Sequence, residues 1–204
     1  MSPLKFFSCA RIVISALCCV QLFSINLQAV EFELTPIVGK TFSPDLVTGD
    51  NAFYLPTTDE PNFALALSWQ DTPTGQGQVL VNYISRDFTD NIDFSTHSFD
   101  TVYAHFSGVS LFIDREYVTT VGVGIGATYF KSDFDSAVYP SLTVAVGTRY
   151  QFDDNLVFVT ELRGYATLTD DDDTLFCQSE TCYAQFERAV WLDGQISVGL
   201  AYSF

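Results

Sequence analysis

From Val190 to Phe204 the chain keeps a two-residue period. Val190, Leu192, Ile196, Val198, Leu200, Tyr202 and Phe204 fall on one parity, and Trp191, Asp193, Gln195, Ser197, Gly199, Ala201 and Ser203 on the other. Successive side chains of an extended strand point to opposite faces, whereas a helix would scatter both sets around its circumference. The segment therefore reads as a strand with one greasy face and one face of small and polar residues. No other feature narrows the fold so far, because the pattern recurs.

Phe158, Leu162, Gly164 and Ala166 oppose Glu161, Arg163 and Thr167. Leu142, Val144, Val146, Tyr150 and Phe152 oppose Ser141, Thr143, Gly147, Arg149 and Gln151. Val121, Val123, Ile125 and Tyr129 oppose Thr120, Gly122, Gly124, Gly126 and Thr128, while Phe63, Leu65, Leu67 and Trp69 oppose Ala64, Ala66 and Ser68. Segments near 31–39, 78–86 and 99–113 bring the count to eight. The parity of 99–113 is ambiguous beyond Gly108, where a bulge is expected. The connections alternate: short turns at Asp71–Gly77, Asp114–Glu116 and Asp153–Asn155, longer polar loops near 41–61, 87–98, 132–138 and 169–187. An all-β, eight-stranded, antiparallel up-and-down transmembrane barrel predicts this rhythm, with both termini on the short-turn side.

A soluble barrel with a greasy interior shares the same period. Against it, the polar face is mostly Gly, Ala, Ser and Thr, where a water-washed wall would carry Lys and Glu, and most charges gather in the loops. Trp69, Tyr117, Tyr129, Phe152, Tyr202 and Phe204 lie near strand ends with the greasy parity, as interfacial girdles do. Strands of up to about fourteen residues exceed the roughly ten needed to span a bilayer, so the wall is expected to project beyond the outer leaflet.

Lys5 and Arg11 followed by the apolar stretch Ile12–Ile25 and by Leu27-Gln28-Ala29 read as a secretory signal peptide over residues 1–29, cleaved before Val30. A lipoprotein anchor at Cys18 or Cys19 is disfavoured, since Leu17 stands where a small residue is required. One barrel domain, residues 30–204, would remain. Losing Lys5 and Arg11 takes the formal charge from −16 to −18, too acidic for nucleic acid, or for anionic headgroups without a bridging cation, as direct partners.

The ending Val198-Gly199-Leu200-Ala201-Tyr202-Ser203-Phe204, the opening Phe32-Glu33-Leu34-Thr35-Pro36-Ile37-Val38-Gly39, the stretch Trp69-Gln70 to Gly75-Gln76-Gly77 and the loop from Leu175-Phe176-Cys177 to Cys182 resemble the small outer-membrane β-barrel proteins of Gram-negative bacteria. The likeness to the OmpA membrane domain, OmpX and OmpW is one of architecture. It implies a bacterial outer-membrane location, outer-membrane lipid and lipopolysaccharide as neighbours, and a monomer. It also implies an assembly signal at Phe204 and Tyr202 that the barrel-assembly machinery reads. No cofactor, no nucleic-acid partner and no peptidoglycan-binding domain beyond Phe204 are expected.

The inward parity collects Glu33, Arg149, Glu161, Arg163, Asp193 and His105, with Tyr103 beside them. An eight-stranded interior is just wide enough for side chains to fill, so these charges are expected to pair and plug it. A narrow pore for small solutes, gated by rearranging the same pairs, is the alternative. His105 and Ser107 share a strand face, an arrangement known from outer-membrane lipid A deacylases. The inward parity and the lack of an orienting acid favour a structural histidine and no enzyme.

Asp170, Asp171, Asp172 and Asp173 form an acidic run, joined at the same rim by Asp45, Asp50, Asp59, Asp90, Asp93, Asp133 and Asp135. Four consecutive acids lack the spaced ligands of a calcium loop, leaving a solvated loop or weak cation binding that bridges to lipopolysaccharide phosphates. Cys177 and Cys182 are the cysteines left after export, and a disulfide between them is expected to shape a loop tip. Gly122, Gly124 and Gly126 alternate strictly and precede no helix, so they make room inside the barrel instead of cradling phosphate. The residues point to a barrel with a structural or surface-interaction role.

Overall fold

The computed structural model describes residues 31–48, 53–89, 96–113, 118–169, 175–178 and 181–204. The signal-peptide expectation for residues 1–29 falls outside them. The strands are β1 (Phe32–Phe42), β2 (Leu46–Val47), β3 (Tyr54–Leu55), β4 (Pro61–Thr72), β5 (Gly75–Thr89), β6 (Thr96–Ile113), β7 (Val118–Ser132), β8 (Ser136–Asp153), β9 (Leu156–Leu168), β10 (Cys177–Gln178), β11 (Thr181–Cys182) and β12 (Val190–Ser203). Eight of them close an antiparallel barrel in the order β1-β12-β9-β8-β7-β6-β5-β4, while β2–β3 and β10–β11 are small separate hairpins. No helix of the described residues is long and apolar enough to cross a membrane.

Closure is by the chain ends. β1 lies between β4 and β12, with Glu33 opposite Ser203 and Lys40 opposite Ile196. Phe32 and Phe204 exchange main-chain hydrogen bonds of 3.3 and 2.9 Å, and their rings stack at 6.3 Å. Every strand of the barrel then has a partner on both sides, which removes the exposed edge that would template aggregation.

The alternation sorts as the period requires. Leu34, Val38, Leu65, Val81, Val123, Ile125, Val144, Leu162, Ile196 and Leu200 face outward and are exposed, whereas Thr35, Asn82, Thr128, Thr143, Arg163 and Gln195 face inward and are buried. The wall is apolar and the interior polar, the reverse of a soluble barrel. Among the inward glycines, Gly126 shows why no side chain is tolerated: a Cβ there would lie 2.0 Å from the Ala104 carbonyl oxygen.

Three details differ from the sequence reading. β6 runs through Gly108 without a bulge, pairing it with Gly77 on one side and Val123 on the other. The register shifts sit instead at Gln70/Thr72 and Gln151/Asp153, beside the tight turns at the end where both termini lie. The expected loop over 132–138 shrinks to Asp133-Phe134-Asp135, because Lys131 and Ser136 already pair. Likewise β5 reaches Thr89 and β6 starts at Thr96, so both ends of 87–98 are strand. Polar residues misled the reading there: Ser85, Asp87, Ser98, Asp100 and Lys131 are outward strand positions beyond the apolar band.

At 18 residues β6 and β8 are the longest strands. At about 3.4 Å per residue and a tilt near 40°, such a strand rises roughly 45 Å, well above an apolar band of about 25 Å. The surplus lies at the end away from the termini, hereafter the loop end.

Candidate functional site

The lumen is organised in layers. At the terminal end Arg149 grips Glu33 with both guanidinium nitrogens, Nη1 to Oε1 at 2.9 Å and Nη2 to Oε2. The pair floors a small polar mouth of about 210 Å³ that Gln70, Gln76 and Gln151 also line. Further in, Arg163 binds Glu161 two residues before it on β9, Nε to Oε1 at 2.7 Å and Nη2 to Oε2 at 2.8 Å, and reaches Gln78 across the lumen at 3.2 Å. Two positions apart on a strand share a face, so this pair is already prescribed by the backbone.

The middle layer is neutral. Asn62 donates to Asn82, which donates in turn to Tyr165 at 3.1 Å and to Gln195 at 2.8 Å. Tyr165 stacks on Tyr103 with ring centroids 4.0 Å apart. His105 Nε2 lies 2.9 Å from Ser141 Oγ. The Ser107 hydroxyl has no hydrogen-bond partner among the described residues. His105 is therefore engaged with β8, past the intervening β7, and the His-x-Ser reading loses its pair.

Above this layer Asp193 accepts hydrogen bonds from Arg86 at 2.5 Å, from Trp191 Nε1 at 3.0 Å and from the Tyr103 hydroxyl. Arg86 also donates to Thr101 at 2.6 Å and lies over the Phe99 ring. Both side chains of the ion pair are fully buried. Such a pair persists because Trp191 and Tyr103 also donate to Asp193 and Thr101 accepts from Arg86, leaving the Arg86 Nε as the one guanidinium nitrogen with no partner among the described residues; a lone charge there would cost several kcal/mol.

The loop end is closed by aromatic packing. Phe88, Phe99, Phe130, Phe176, Phe186 and Trp191 form one buried cluster together with Leu46 and Leu55 from β2 and β3. Their rings meet mostly edge to face, as between Phe99 and Phe176 at 5.6 Å, a favoured geometry for aromatic pairs. The two loop hairpins are clipped together over the mouth: Val47 and Gln185 exchange main-chain hydrogen bonds of 3.1 and 2.8 Å. Ser132 donates to the Leu175 carbonyl at 2.5 Å, fixing the neighbour of Phe176 against the rim of β7.

Thus Glu33, Arg149, Glu161, Arg163, Asp193 and His105 all point into the lumen, yet they form separate pairs instead of one network. Arg86 completes the set. It was missed; its signal was parity: Leu80, Asn82, Ile84 and Arg86 share the buried face of β5. The plug was missed as well. Its signal was apolar residues in stretches otherwise polar: Leu46, Leu55, Leu175, Phe176 and Phe186.

Cys177 and Cys182 form a disulfide across β10 and β11, where they are directly paired. Asp170, Asp171, Asp172 and Asp173 lie outside the described residues, as do Asp50, Asp90 and Asp93. Asp59 pairs with Lys40 at 3.3 Å. Among the described residues no group of three or more His, Cys, Asp or Glu side chains is placed to hold a metal. Tyr202 and Phe204 face outward at the terminal rim.

A closed antiparallel ring of eight strands with an apolar wall and a polar, packed lumen defines a transmembrane β-barrel of the outer-membrane type. Solved structures agree. The chain is similar to Neisserial surface protein A, with a TM-score of 0.59 and 11% identity over 85% of this chain and 97% of the other. It is similar also to the outer membrane protein OprG from Pseudomonas aeruginosa, with a TM-score of 0.58 and 10% identity over 86% and 96% of the two chains. At such identity the likeness is one of fold. No protein-family model matches the chain, and no curated protein matches it in sequence.

Proposed function

We propose that this is a monomeric integral protein of the bacterial outer membrane, sealed to solutes, with a structural or surface-interaction role carried by its loop end. Residues 1–29 direct export and are removed, the termini stay on the periplasmic side, and Tyr202 and Phe204 present the assembly signal to the barrel-assembly machinery. Outer-membrane lipid and lipopolysaccharide surround the wall.

The observation that carries this reading is the aromatic cluster under the clipped hairpins, backed by the buried Arg86–Asp193 pair. A solute would have to displace both, and an ion would first have to break a fully buried charge pair. The alternative of a narrow pore needs both layers to open together. Lipid A modification finds little support in the geometry: His105 is held by Ser141 inside the lumen, behind the wall that lipid touches.

Planar-bilayer recordings of the refolded protein test the reading. Silent bilayers from preparations that migrate as folded barrels are expected; a reproducible ohmic step of single-channel size would replace the sealed barrel with the pore.

A further inference from the structure

The outer wall is not uniformly convex. On β9 and β12, Gly164 and Gly194 are direct cross-strand partners, and both lie on the lipid-facing parity. A Cβ at 194 would meet nothing within 4 Å, and one at 164 would have only Val144 within 3.5 Å on the same face. The missing side chains leave a groove of about 710 Å³ in the wall, bordered by Phe42, Val123, Val144, Leu162 and Ile196. It runs from the loop end, where Phe42 is the last residue of β1 and Gly194 the fifth of β12, to the middle of the wall at Val144 and Leu162 and to Val123, the sixth residue of β7 from the terminal end.

A cation marks the height of the groove. Lys40, two residues before Phe42 on the same outward face, runs its amine to 5.4 Å from the Phe42 ring centroid and to 3.3 Å from Asp59. Its side chain is 51% exposed, so donors remain on a three-donor ammonium that snorkels along an aromatic ring to the polar boundary. The acidic surplus of the chain lies in the loops, whereas the groove is bordered by apolar side chains.

We propose that this groove is a binding site for an acyl chain of lipid A in the outer leaflet, with Lys40 taking a phosphate of the headgroup. The proposal rests on the reading above that the loop end faces outward. In hydrocarbon there is no gain from burying apolar surface as such; association comes from close packing. A flexible chain can follow an irregular depression, whereas a second barrel would need a rigid ridge of matching shape. The cation at the rim adds charge complementarity for a phosphate-bearing lipid.

Native mass spectrometry of the full mature chain tests this, after release from nanodiscs holding equal amounts of lipid A and phosphatidylethanolamine. The expected result is one retained lipid A per barrel. Gly194→Leu, which fills the groove from a position with open space, should lower retention by about tenfold, equivalent to roughly 1.4 kcal/mol. Lys40→Gln should reduce the preference for lipid A over phosphatidylethanolamine. Equal retention by the wild type and Gly194→Leu would overturn the site, as would preferential retention of phosphatidylethanolamine by the wild type. A wild-type dimer lost in Gly194→Leu would give the groove to a second copy and also overturn it. Heat-modifiable gel mobility is read on every variant. If the wild type fails to fold into a barrel, it is the membrane-barrel reading that falls, separately from the lipid site.

Discussion

Arg86 and Asp193 stand 107 residues apart in the chain and meet at 2.5 Å with both side chains fully buried. Their strands are not neighbours in the barrel: β5 and β12 are separated by β4 and β1. The contact spans the lumen. It braces opposite walls at the level where the polar interior gives way to the aromatic cluster.

Removing one partner should therefore be worse than removing both. Asp193→Ala leaves a guanidinium buried without its carboxylate and is expected to cost about 3–5 kcal/mol, as is Arg86→Ala. A double replacement with apolar residues of similar volume, Arg86→Met with Asp193→Leu, should recover most of that loss. Urea unfolding in lipid vesicles, followed by tryptophan fluorescence and gel mobility, reads the difference. A double variant as unstable as the worse single one would show that the pair is not the cause.

The terminal-end pair should behave differently. Glu33 and Arg149 keep some side-chain exposure, 7% and 15%, and face an open polar mouth. Solvent screens them, so Arg149→Ala should cost less than Arg86→Ala, on the order of 1–2 kcal/mol between the exposed and buried limits. The loss should shrink as salt is raised, because screening already weakens the wild-type pair. The same vesicle assay at low and at molar salt checks both statements, and an insensitivity to salt would contradict them.

The barrel was legible because its physics is periodic. A wall in contact with lipid and an interior filled by side chains force every strand into the same two-residue code, so β12 alone could be read residue by residue. Glu161 and Arg163 were legible as a pair for the same reason. What escaped the sequence depended on closure. Nothing in the vicinity of Arg86 names Asp193 as its partner, because the two meet only when β5 and β12 face each other across a ring of eight. The plug escaped because its members arrive from β2, β3, β5, β6, β7, β12 and the segment around Leu175, each contributing only one or a few apolar residues to stretches that look polar. The short turn at Asp133–Asp135 escaped because outward polar residues on strands standing clear of the membrane look like loop.

Close approach of β6 and β7 gives a third expectation. A Cβ at Gly126 would lie 2.0 Å from the Ala104 carbonyl oxygen and 2.8 Å from the His105 Cα, both main-chain atoms that cannot move without opening the ladder. Gly126→Val should thus fail to refold or lose heat-modifiable mobility. Gly108→Val, at an outward position where a Cβ meets nothing within 4 Å, should refold as the wild type does. Parallel refolding of the two variants is the measurement, and a well-folded Gly126→Val barrel would mean that the strands approach less closely than described.

The disulfide acts on the plug, not on the barrel. Cys177 follows Phe176 directly and ties β10 to β11, so it keeps the hairpin closed next to the segment carrying Leu175 and Phe176. For so short a loop the chain-entropy model gives roughly 2 kcal/mol, a local stabilisation small beside that of a closed ring of strands. Replacing both cysteines by serine should leave urea unfolding of the barrel close to wild type. It should speed protease cleavage within 169–187, since local opening of the hairpin becomes more frequent. Phe176→Ala should act in the same direction and more strongly, at about 3–5 kcal/mol for a large buried ring, felt mainly in the plug. Limited proteolysis with mass mapping, run beside the unfolding assay, distinguishes the two levels. Cleavage rates unchanged in both variants would show that the hairpin is held over the mouth by the Val47–Gln185 bridge and not by its ring or its disulfide.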